Sequence, residues 1–225
     1  MDAKTKPQEI YHHLRELIIG LRVAPGSRVT EAQLADYFSV SRTPIRAALQ
    51  RLESEGFLII KPKQGCFIRN LDMERIIQYY DVRVALENLV LEAISCLPDH
   101  SALRDLAEQW DPQALHFGLE INDDLKIAEE HFHLQLARIS RNGVLQHYIS
   151  DINDHIRAMR RLGWPDSKSV IDTYEEHYRI CDMLLQGDLP GAQAEMTNHI
   201  RKSQDQASRI TLQQLYGNRD LVVFE

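Results

Sequence analysis

The sequence has few cysteines and no motif that would use them together. Its 225 residues include three, Cys66, Cys96 and Cys181, which lie far apart and form no C-x-x-C pair. An odd number of widely spaced cysteines argues against a disulfide framework and against a cysteine metal site. We expect each of them to be a small buried or half-buried residue in the reducing environment of the cytoplasm.

Long apolar runs are missing as well. No run approaches the roughly 20 residues of a membrane-spanning helix. The opening stretch, MDAKTKPQEIYHHLRELI, lacks the apolar region and the cleavage site of a secretory signal. The sequence also contains no phosphate-binding glycine loop and no nucleophile motif. We therefore expect a globular protein that acts away from membranes and is not an enzyme.

Charge is distributed unevenly along the chain. Residues 1–70 contain 11 Lys or Arg and 7 Asp or Glu, a net charge of +4, whereas residues 71–225 contain 15 and 26, a net charge of −11. A basic N-terminal part on an acidic remainder suggests that only the first part meets a polyanion. The same boundary separates two predicted domains, 1–70 and 71–225.

The N-terminal domain shows the pattern of three helices followed by a β-hairpin. Apolar residues recur at three- and four-residue steps in the first helix, and Thr30 is placed to cap the second. Ser41 or Thr43 can cap the third helix, with Pro44 in its first turn. Two short apolar strands then flank a turn at residues 61–65. This order predicts a winged helix-turn-helix with a small hairpin wing.

The predicted third helix begins with residue types that read DNA. Arg42 and Arg46 lie one turn apart on the same face, and arginine can donate two parallel hydrogen bonds to guanine. Ser41 and Thr43 offer hydroxyl groups to phosphates or base edges, and Pro44 offers an apolar surface to a thymine methyl group. Taken alone, the two arginines are equally well explained as solvated helix charges.

The turn of the predicted wing is rich in lysine. Lys61 and Lys63 stand on either side of Pro62, directly after an apolar strand. In a winged helix-turn-helix these positions approach the phosphate backbone or the adjacent minor groove. We therefore include both lysines in the predicted DNA-binding surface.

Two stretches of this domain, VAPGSRVTE and VSRTPIRAAL, are together characteristic. With the Glu-Gly-Phe that follows, they resemble the DNA-binding domain of GntR-family bacterial transcription regulators across residues 7–70. The resemblance implies that several polar residues and the wing glycine face DNA: Arg28, Ser41, Arg42, Thr43, Arg46 and Gly65. Many members carry Arg directly after the glutamate that matches Glu31, whereas this chain has Ala32. One contact typical of the family therefore has no counterpart here.

The C-terminal domain reads as helical almost throughout. The spacing of apolar residues predicts a long first helix after residue 72 and five more near 101–110, 123–140, 144–161, 169–186 and 190–215. The breaks coincide with Pro, Gly and Asn residues, and no strand alternation or repeat stands out. We predict an all-α bundle, which makes the whole chain mainly α.

Three histidines and one glutamate occupy the apolar faces of these predicted helices. Glu129 and His133 are four residues apart and so point the same way, while His177 and His199 lie on the inner faces of two later helices. Imidazole and carboxylate together suit a divalent transition metal such as Zn, Ni, Mn or Fe. Spacing alone does not show that the helices converge, so each histidine is equally a candidate for a hydrogen-bonded core residue.

Scattered positions over residues 74–215 resemble the FCD ligand-binding domain of the FadR subfamily of GntR regulators. They include the pairs FH, EH and NH that carry the three histidines, Asn142, and the R-x-x-x-E pattern of Arg83 and Glu87. The resemblance implies that the histidines bind a metal together with a carboxylate, here Glu129 in place of the more usual Asp. It further implies that this metal helps to hold a small carboxylate effector, contacted by Arg83 and Asn142. An internal ion pair with Glu87 is the alternative role of Arg83.

These features favour a ligand-responsive transcription regulator, with repression as the expected mode. We expect a homodimer on double-stranded, pseudo-palindromic operator DNA and an effector that shifts the population of two arrangements. Three alternatives stay open: a sensor in which the metal itself is the effector, a helical metalloenzyme, and a bundle that serves only dimerisation. The apolar tail after Gly217 has two candidate docking places, the bundle or a partner subunit.

Overall fold

The chain divides into two compact units. The computed structural model describes residues 7–112, 123–162, 167–210, 221, 222 and 224, without the side chains at 123–127, 129, 161–162 and 167–170. Unit 1 comprises Met1–Asp72 together with Leu212–Glu225, and unit 2 comprises Met73–Thr211. The predicted domains, 1–70 and 71–225, differ from these units chiefly in where the last residues of the chain belong.

Unit 1 contains three helices and a three-stranded sheet within its described residues. The elements are α1 (Pro7–Ile19), β1 (Arg28–Val29), α2 (Glu31–Tyr37), α3 (Arg42–Ser54), β2 (Leu58–Lys61) and β3 (Gly65–Ile68). The apolar stripes of the helices meet in one core, in which Ile10, Leu14, Ile45 and Leu52 are fully buried. The winged helix-turn-helix predicted from the sequence is confirmed.

Helix α2 begins at the predicted cap. The Thr30 hydroxyl accepts a hydrogen bond from the Gln33 amide at 3.2 Å, and the Gln33 side-chain oxygen accepts one from the Thr30 amide at 3.1 Å. This capping box satisfies two backbone donors at the start of the helix. Ser41 stands at the N-cap of α3, but its side chain makes no capping hydrogen bond.

The wing has one more strand than the sequence predicted. Strand β3 pairs antiparallel with both β2 and β1, which gives the order β1-β3-β2. Strand β1 places Arg28 opposite Phe67 and Val29 opposite Cys66. Two residues are too few to show an alternating pattern, so sequence periodicity could not reveal this strand.

The C-terminal segment packs on unit 1. The Val222 amide donates to the Arg22 carbonyl oxygen at 2.8 Å, and the Gln33 side chain donates to the Phe224 carbonyl oxygen at 2.8 Å. Phe224 is 8% exposed within the core of this unit, and its ring meets that of Tyr37 edge-on with centroids 5.1 Å apart. The two docking places considered from the sequence, the bundle and a partner subunit, did not include this one.

Unit 2 is helical in every element that the structure describes. Its helices are α4 (Met73–Ser95), α5 (Ser101–Gln109), α6 (Asp123–Ile139), α7 (Gly143–Leu162), α8 (Ser167–Leu185) and α9 (Leu189–Ser208). Helix α4 packs against α6, α7 and α9, while α8 packs against α5 and α9. The predicted all-α fold is confirmed, although α9 ends at Ser208 rather than near residue 215. None of the described helices has the length and apolar character needed to cross a membrane.

Candidate functional site

The exposed first turns of α3 carry the residues predicted to read DNA. Ser41, Arg42 and Thr43 are exposed, Arg46 is exposed one turn later, and Pro44 is half-buried. The apolar residues of the helix face the core of unit 1. The amphipathic pattern therefore leaves a polar face on which both arginines project outward, as a recognition helix requires.

Arg46 is held by an acidic partner from α2. Its Nε donates to Glu31 Oε1 at 2.9 Å and its Nη2 donates to Oε2 at 2.8 Å, so the pair is bidentate. The hydrogen bonds from Arg46 lower the pKa of the Glu31 carboxyl below its ordinary value. This pair orients the guanidinium in the free protein, and contact with a guanine edge requires Arg46 to leave or share that carboxylate.

The wing gathers its basic residues and its glycine around one turn. Lys61 ends β2, Lys63 lies in the turn with a φ of 62°, and Gly65 begins β3 with a φ of 110°. A Cβ atom on Gly65 would lie 3.1 Å from Arg28 Nε and 3.2 Å from the Val29 carbonyl oxygen. Glycine therefore lets β1 approach the wing closely. Arg28 and both lysines are exposed.

Three buried histidines meet in unit 2. His133 on α6, His177 on α8 and His199 on α9 are 0%, 0% and 5% exposed. The Nε2 atom of His199 lies 3.3 Å from Nε2 of His133 and 3.4 Å from Nε2 of His177. One ring nitrogen from each histidine lies within 4.8 Å of the other two. The convergence that spacing alone could not demonstrate is therefore present.

Two carboxylates hold the outer nitrogens of two of these rings. His133 Nδ1 lies 2.5 Å from Glu87 Oε2, and His199 Nδ1 lies 2.7 Å from Glu176 Oε2. A ring that donates its Nδ1 proton to a carboxylate keeps the Nε2 lone pair for another partner. Sequence analysis missed this role for both glutamates, because it depends on which helices face each other.

Burial keeps the three imidazoles neutral near physiological pH. Loss of solvation is the largest cause: it lowers the pKa of His133, takes that of His177 further down and brings that of His199 to about 4. The positive charge of Arg83 lowers all three values further. Neutral imidazole is the form that binds metals.

Both carboxylates stay ionised beside these rings. Burial alone would raise the pKa of each carboxyl group. The charge of Arg83 and the hydrogen bonds from His133 and Arg83 outweigh burial and lower the pKa of Glu87. Hydrogen bonding to His199 likewise outweighs burial and holds the pKa of Glu176 at about 2. Each anion already has a cationic partner, Arg83 for Glu87 and Lys202 for Glu176.

All three imidazoles suit a divalent metal by chemistry, and two of the three pairs suit it by distance. Nitrogen ligands stand about 2.0–2.1 Å from zinc in tetrahedral sites, which separates two ligand atoms by roughly 3.3–3.4 Å. The distances from His199 Nε2 to the other two Nε2 atoms, 3.3 Å and 3.4 Å, match that separation, and the ligand atoms of the third pair lie within 4.8 Å of each other. With their Nδ1 protons on carboxylates, His133 and His199 turn Nε2 lone pairs towards each other, and a cation between them would relieve that repulsion.

Aromatic packing fixes the ring of His177. The ring stacks on Phe132 with centroids 3.7 Å apart and an interplanar angle of 11°, and Trp110 meets it edge-on at 4.3 Å. Its Nδ1 is buried and has no hydrogen-bond partner among the described residues. Packing, rather than a carboxylate, therefore sets the direction of His177 Nε2.

Arg83 brings partly unsatisfied hydrogen-bond donors to the cluster. Its Nε donates to Glu87 Oε1 at 2.6 Å, which is the internal ion pair considered from the sequence. Its Nη1 and Nη2 are buried and have no hydrogen-bond partner in the part of the chain that is described. The side chain is 0% exposed. Such donors cost folding free energy unless a ligand or water accepts from them.

A second buried polar pair lies on α7. Asn153 and Arg160 are 3% and 5% exposed, and Arg160 Nη1 donates to Asn153 Oδ1 at 3.1 Å. The Asn153 Nδ2 atom has no partner among the residues described. The charge of Arg160 contributes, after burial and the other histidines, to the low pKa of His177. Sequence analysis missed both residues, because isolated polar residues on a long helix resemble solvated ones.

The structure does not place two of the predicted site residues, Glu129 and Asn142, in the histidine cluster. The side chain of Glu129 lies outside the described residues, so its role as a metal ligand stays a prediction. Asn142 is exposed, and its Oδ1 accepts hydrogen bonds from the amides of Val144 at 3.1 Å and Leu145 at 3.2 Å. These bonds give Asn142 a helix-capping role at the start of α7, and its predicted contact with the effector stays a prediction.

Family models match both units of the chain. The model described as bacterial regulatory proteins, gntR family, matches residues 6–68, and the FCD domain model matches residues 78–202. The chain is similar to an HTH-type transcriptional regulator in an unstable DNA locus of Streptomyces ambofaciens, with 30% identity over 93% of this chain and 88% of that protein. It is also similar to the HTH-type transcriptional repressor RspR of Escherichia coli, with 23% identity over 90% of this chain and 89% of that protein.

A solved structure shares the fold. A putative transcriptional regulator GntR from Rhodococcus sp. RHA1 superposes with a TM-score of 0.66 at 20% identity, over 90% of this chain and 97% of that one. At this identity the similarity concerns the fold alone. The same fold therefore occurs in a crystal structure.

Proposed function

Because this chain belongs to the GntR family of bacterial regulatory proteins and carries an FCD domain, we propose that it is a repressor controlled by a small carboxylate. In this proposal the carboxylate binds beside a divalent metal in unit 2 and changes the affinity of the protein for its operator. Members of this family are transcriptional regulators rather than enzymes, which removes the metalloenzyme alternative. The similar protein RspR is named a repressor, which favours repression as the mode.

One observation carries the proposal. Three histidine nitrogens converge next to an ion pair whose buried arginine has two side-chain nitrogens without a hydrogen-bond partner among the described residues. The Nε2 atoms of His133 and His177 both face that of His199, and Glu87 bridges the His133 ring to Arg83. The Nη1 and Nη2 atoms of Arg83 form a planar fork that matches the two oxygens of a carboxylate. An anionic ligand could accept hydrogen bonds from both of these buried donors.

Each residue of the cluster has a distinct task in this proposal. His133, His177 and His199 hold the metal, and Glu87 and Glu176 fix two of the rings by accepting their Nδ1 protons. A divalent metal supplies positive charge and open coordination positions for an anionic ligand. Zn, Ni, Mn and Fe all suit the donor set.

Two buried residues have side-chain nitrogens that an effector could use. Arg83 on α4 and Asn153 on α7 each carry buried nitrogens without a hydrogen-bond partner among the described residues. In this proposal Arg83 binds the carboxylate, and Asn153 is a candidate for a second polar contact. Glu129 stays the predicted fourth ligand of the metal.

On the DNA side, α3 would enter the major groove. Arg42 and Arg46 would read base edges, while Ser41, Thr43 and Pro44 would contact phosphates or methyl groups, as the exposed face of the helix supports. Arg28, Lys61 and Lys63 would contact the backbone beside Gly65. Such a protein would act in the cytoplasm, where the operator lies.

We expect the regulator to be a homodimer. Two helices of unit 2 that pack against each other expose apolar side chains: Val82 and Leu89 on α4 are each 49% exposed, and Val144 and Tyr148 on α7 are 65% and 54% exposed. Apolar groups of this size on neighbouring helices favour burial against a second copy. A two-fold dimer would match a pseudo-palindromic operator.

Control requires that the effector prefer one of two arrangements of the protein. Residues 69–72 connect the two units and would transmit that preference to the DNA-binding unit. A sensor in which the metal itself is the effector is the second candidate, because the histidines alone fit a metal. The two differ in metal affinity: a metal that stays bound through dialysis supports the carboxylate-controlled regulator, and one that equilibrates freely supports the sensor.

The proposal is tested by operator affinity at fixed metal content. The chain, purified without a histidine tag, is analysed for metal, and its operator is selected from random DNA. Operator affinity is then measured with saturating mono-, di- and tricarboxylates. We expect about one metal per chain and a change in affinity of fivefold or more for one carboxylate class. A change below twofold for every class, with metal bound, would exclude carboxylate control.

A further inference from the structure

The C-terminal segment contributes to the core of unit 1. The chain reaches this segment only after it has formed unit 2. Phe224 is 8% exposed among the core residues of unit 1, and Val222 packs against the same core. Neighbouring Leu221 is 48% exposed. The segment therefore has one inward and one outward side, as a docked strand of chain has.

Its hydrogen bonds connect it to the first helix of the helix-turn-helix. Gln33 uses its side-chain oxygen for the capping box with Thr30 and its side-chain nitrogen for the Phe224 carbonyl, 2.8 Å away. One side chain thus joins the start of α2 to the segment. The Val222 amide adds a hydrogen bond to the Arg22 carbonyl oxygen at 2.8 Å.

Aromatic contacts strengthen the same attachment. The ring of Phe224 meets Tyr37 edge-on, Tyr37 meets Phe38 edge-on at 4.9 Å, and Phe38 meets His13 edge-on at 5.4 Å. Tyr37 ends α2 and Phe38 is its C-cap, whereas His13 lies in α1. Phe224 is therefore the outer member of a series of rings that holds α1 to α2.

We propose that Val222 and Phe224 form a strap that docks on α1 and α2 of the same chain and ties the DNA-binding unit to α9. The chain leaves unit 1 after Asp72 and returns to it with this segment, so two covalent connections join the units. Along the chain the strap follows α9, the helix that carries His199, and it contacts α2, which packs against α3. Release of the strap loosens α2, and its engagement stiffens the DNA-binding unit.

Hydrogen exchange of the full-length chain tests the docking. In Phe224→Ala, the backbone amides of α2 are expected to exchange roughly tenfold or more faster, because the free energy of burying a phenylalanine corresponds to at least that factor. The matched control is Leu221→Ala, which alters the exposed side of the same segment and should leave α2 exchange unchanged. Amides of α4 and α9 should be unaffected in both variants. Equal α2 exchange in Phe224→Ala and the parent chain would overturn the proposal.

Cross-linking decides whether the strap docks within one chain. A photoreactive phenylalanine analogue at position 224 is expected to link to peptides of α1 and α2. In a mixture of isotope-labelled and unlabelled chains, the two peptides of each cross-linked pair should both be labelled or both be unlabelled. Pairs of mixed label would mean that the segment docks on a partner copy and would contradict the intramolecular strap.

The regulatory role of the strap rests on the proposed function and is measured separately. Exchange of α2 is compared between metal-loaded and chelator-treated protein, in the parent chain and in Phe224→Ala. We expect a difference in the parent chain that disappears in the variant. A difference that persists in the variant would assign the coupling to residues 69–72 alone. Absence of bound metal in the parent would contradict the proposed function and leave the exchange and cross-linking results on docking standing.

Discussion

The cations predicted to bind ligands lie in opposite surroundings in the two units. Unit 1 exposes Arg42, Arg46 and Lys63 on α3 and the wing, whereas unit 2 buries Arg83 completely beside the histidines. An exposed cation keeps its water, and its attraction to a polyanion is broad and sensitive to salt. A buried cation has already lost its water, so it favours a ligand that fits both its charge and its shape. One unit is therefore suited to a long polymer and the other to a small, specific ligand.

The largest effect is expected from removing one of the buried nitrogens. His177→Ala should weaken metal binding by more than roughly hundredfold, because loss of partners that only orient a ligand already costs 10–100-fold. Metal content and affinity are measured by elemental analysis and competitive titration. The control is His147→Ala, an exposed histidine on α7. Full metal occupancy in His177→Ala would remove this residue from the site.

A carboxylate that only orients a ring should matter less than the ring itself. Glu176→Gln is expected to lower metal affinity roughly 10–100-fold, since the amide holds His199 less strongly than the carboxylate does. Glu175→Gln is the matched control, because Glu175 is 48% exposed and pairs only with Arg179 among the contacts observed here. Equal affinities in the two variants would show that Glu176 does not support the site.

Burial of neutral histidines predicts a pH dependence of stability in the metal-free protein. The pKa of His199 is about 4 in the folded chain against an ordinary 6.5, so the unfolded chain binds the proton first as pH falls. The free energy of unfolding should decrease from pH 6.5 towards pH 4, by on the order of 2–3 kcal/mol for this group. Denaturant titrations at several pH values measure it. His199→Gln should show a shallower decline, and an identical decline would contradict this origin.

On the exposed face of α3, Arg46→Ala should weaken specific operator binding by roughly five- to hundredfold. It should also relax the preference for one base pair. Metal binding should be unchanged. Glu31→Gln separates the two roles of the ion pair, since it frees Arg46 without removing it. Operator affinity in both variants is measured by fluorescence anisotropy. A parental affinity in Arg46→Ala would exclude a base contact.

The smallest effect is expected on the wing. Lys63→Ala should weaken binding to all DNA sequences by a similar factor and reduce the slope of log affinity against log salt by about 1. Gln64→Ala, in the same exposed turn, should leave that slope unchanged. A loss confined to the operator sequence would mean that Lys63 reads bases instead of phosphates.

Periodicity and caps predicted the outline of both units. The helices of unit 2 lie close to their predicted positions, and Thr30 caps α2 as expected. These features depend on residues within a few positions of each other, so the sequence displays them directly. Strand β1 was missed because two residues carry no period, and α9 ends before its predicted limit.

The sequence by itself determined which side chains face inward and which face solvent. It identified the arginines of α3 and the three histidines, because helical spacing assigns a face to each residue. The tertiary structure decided which faces meet. It brought three Nε2 atoms together, paired two rings with Glu87 and Glu176, left Arg83 with unused donors and seated Phe224 on unit 1. Such contacts join residues far apart in the chain, and local spacing carries no information about them.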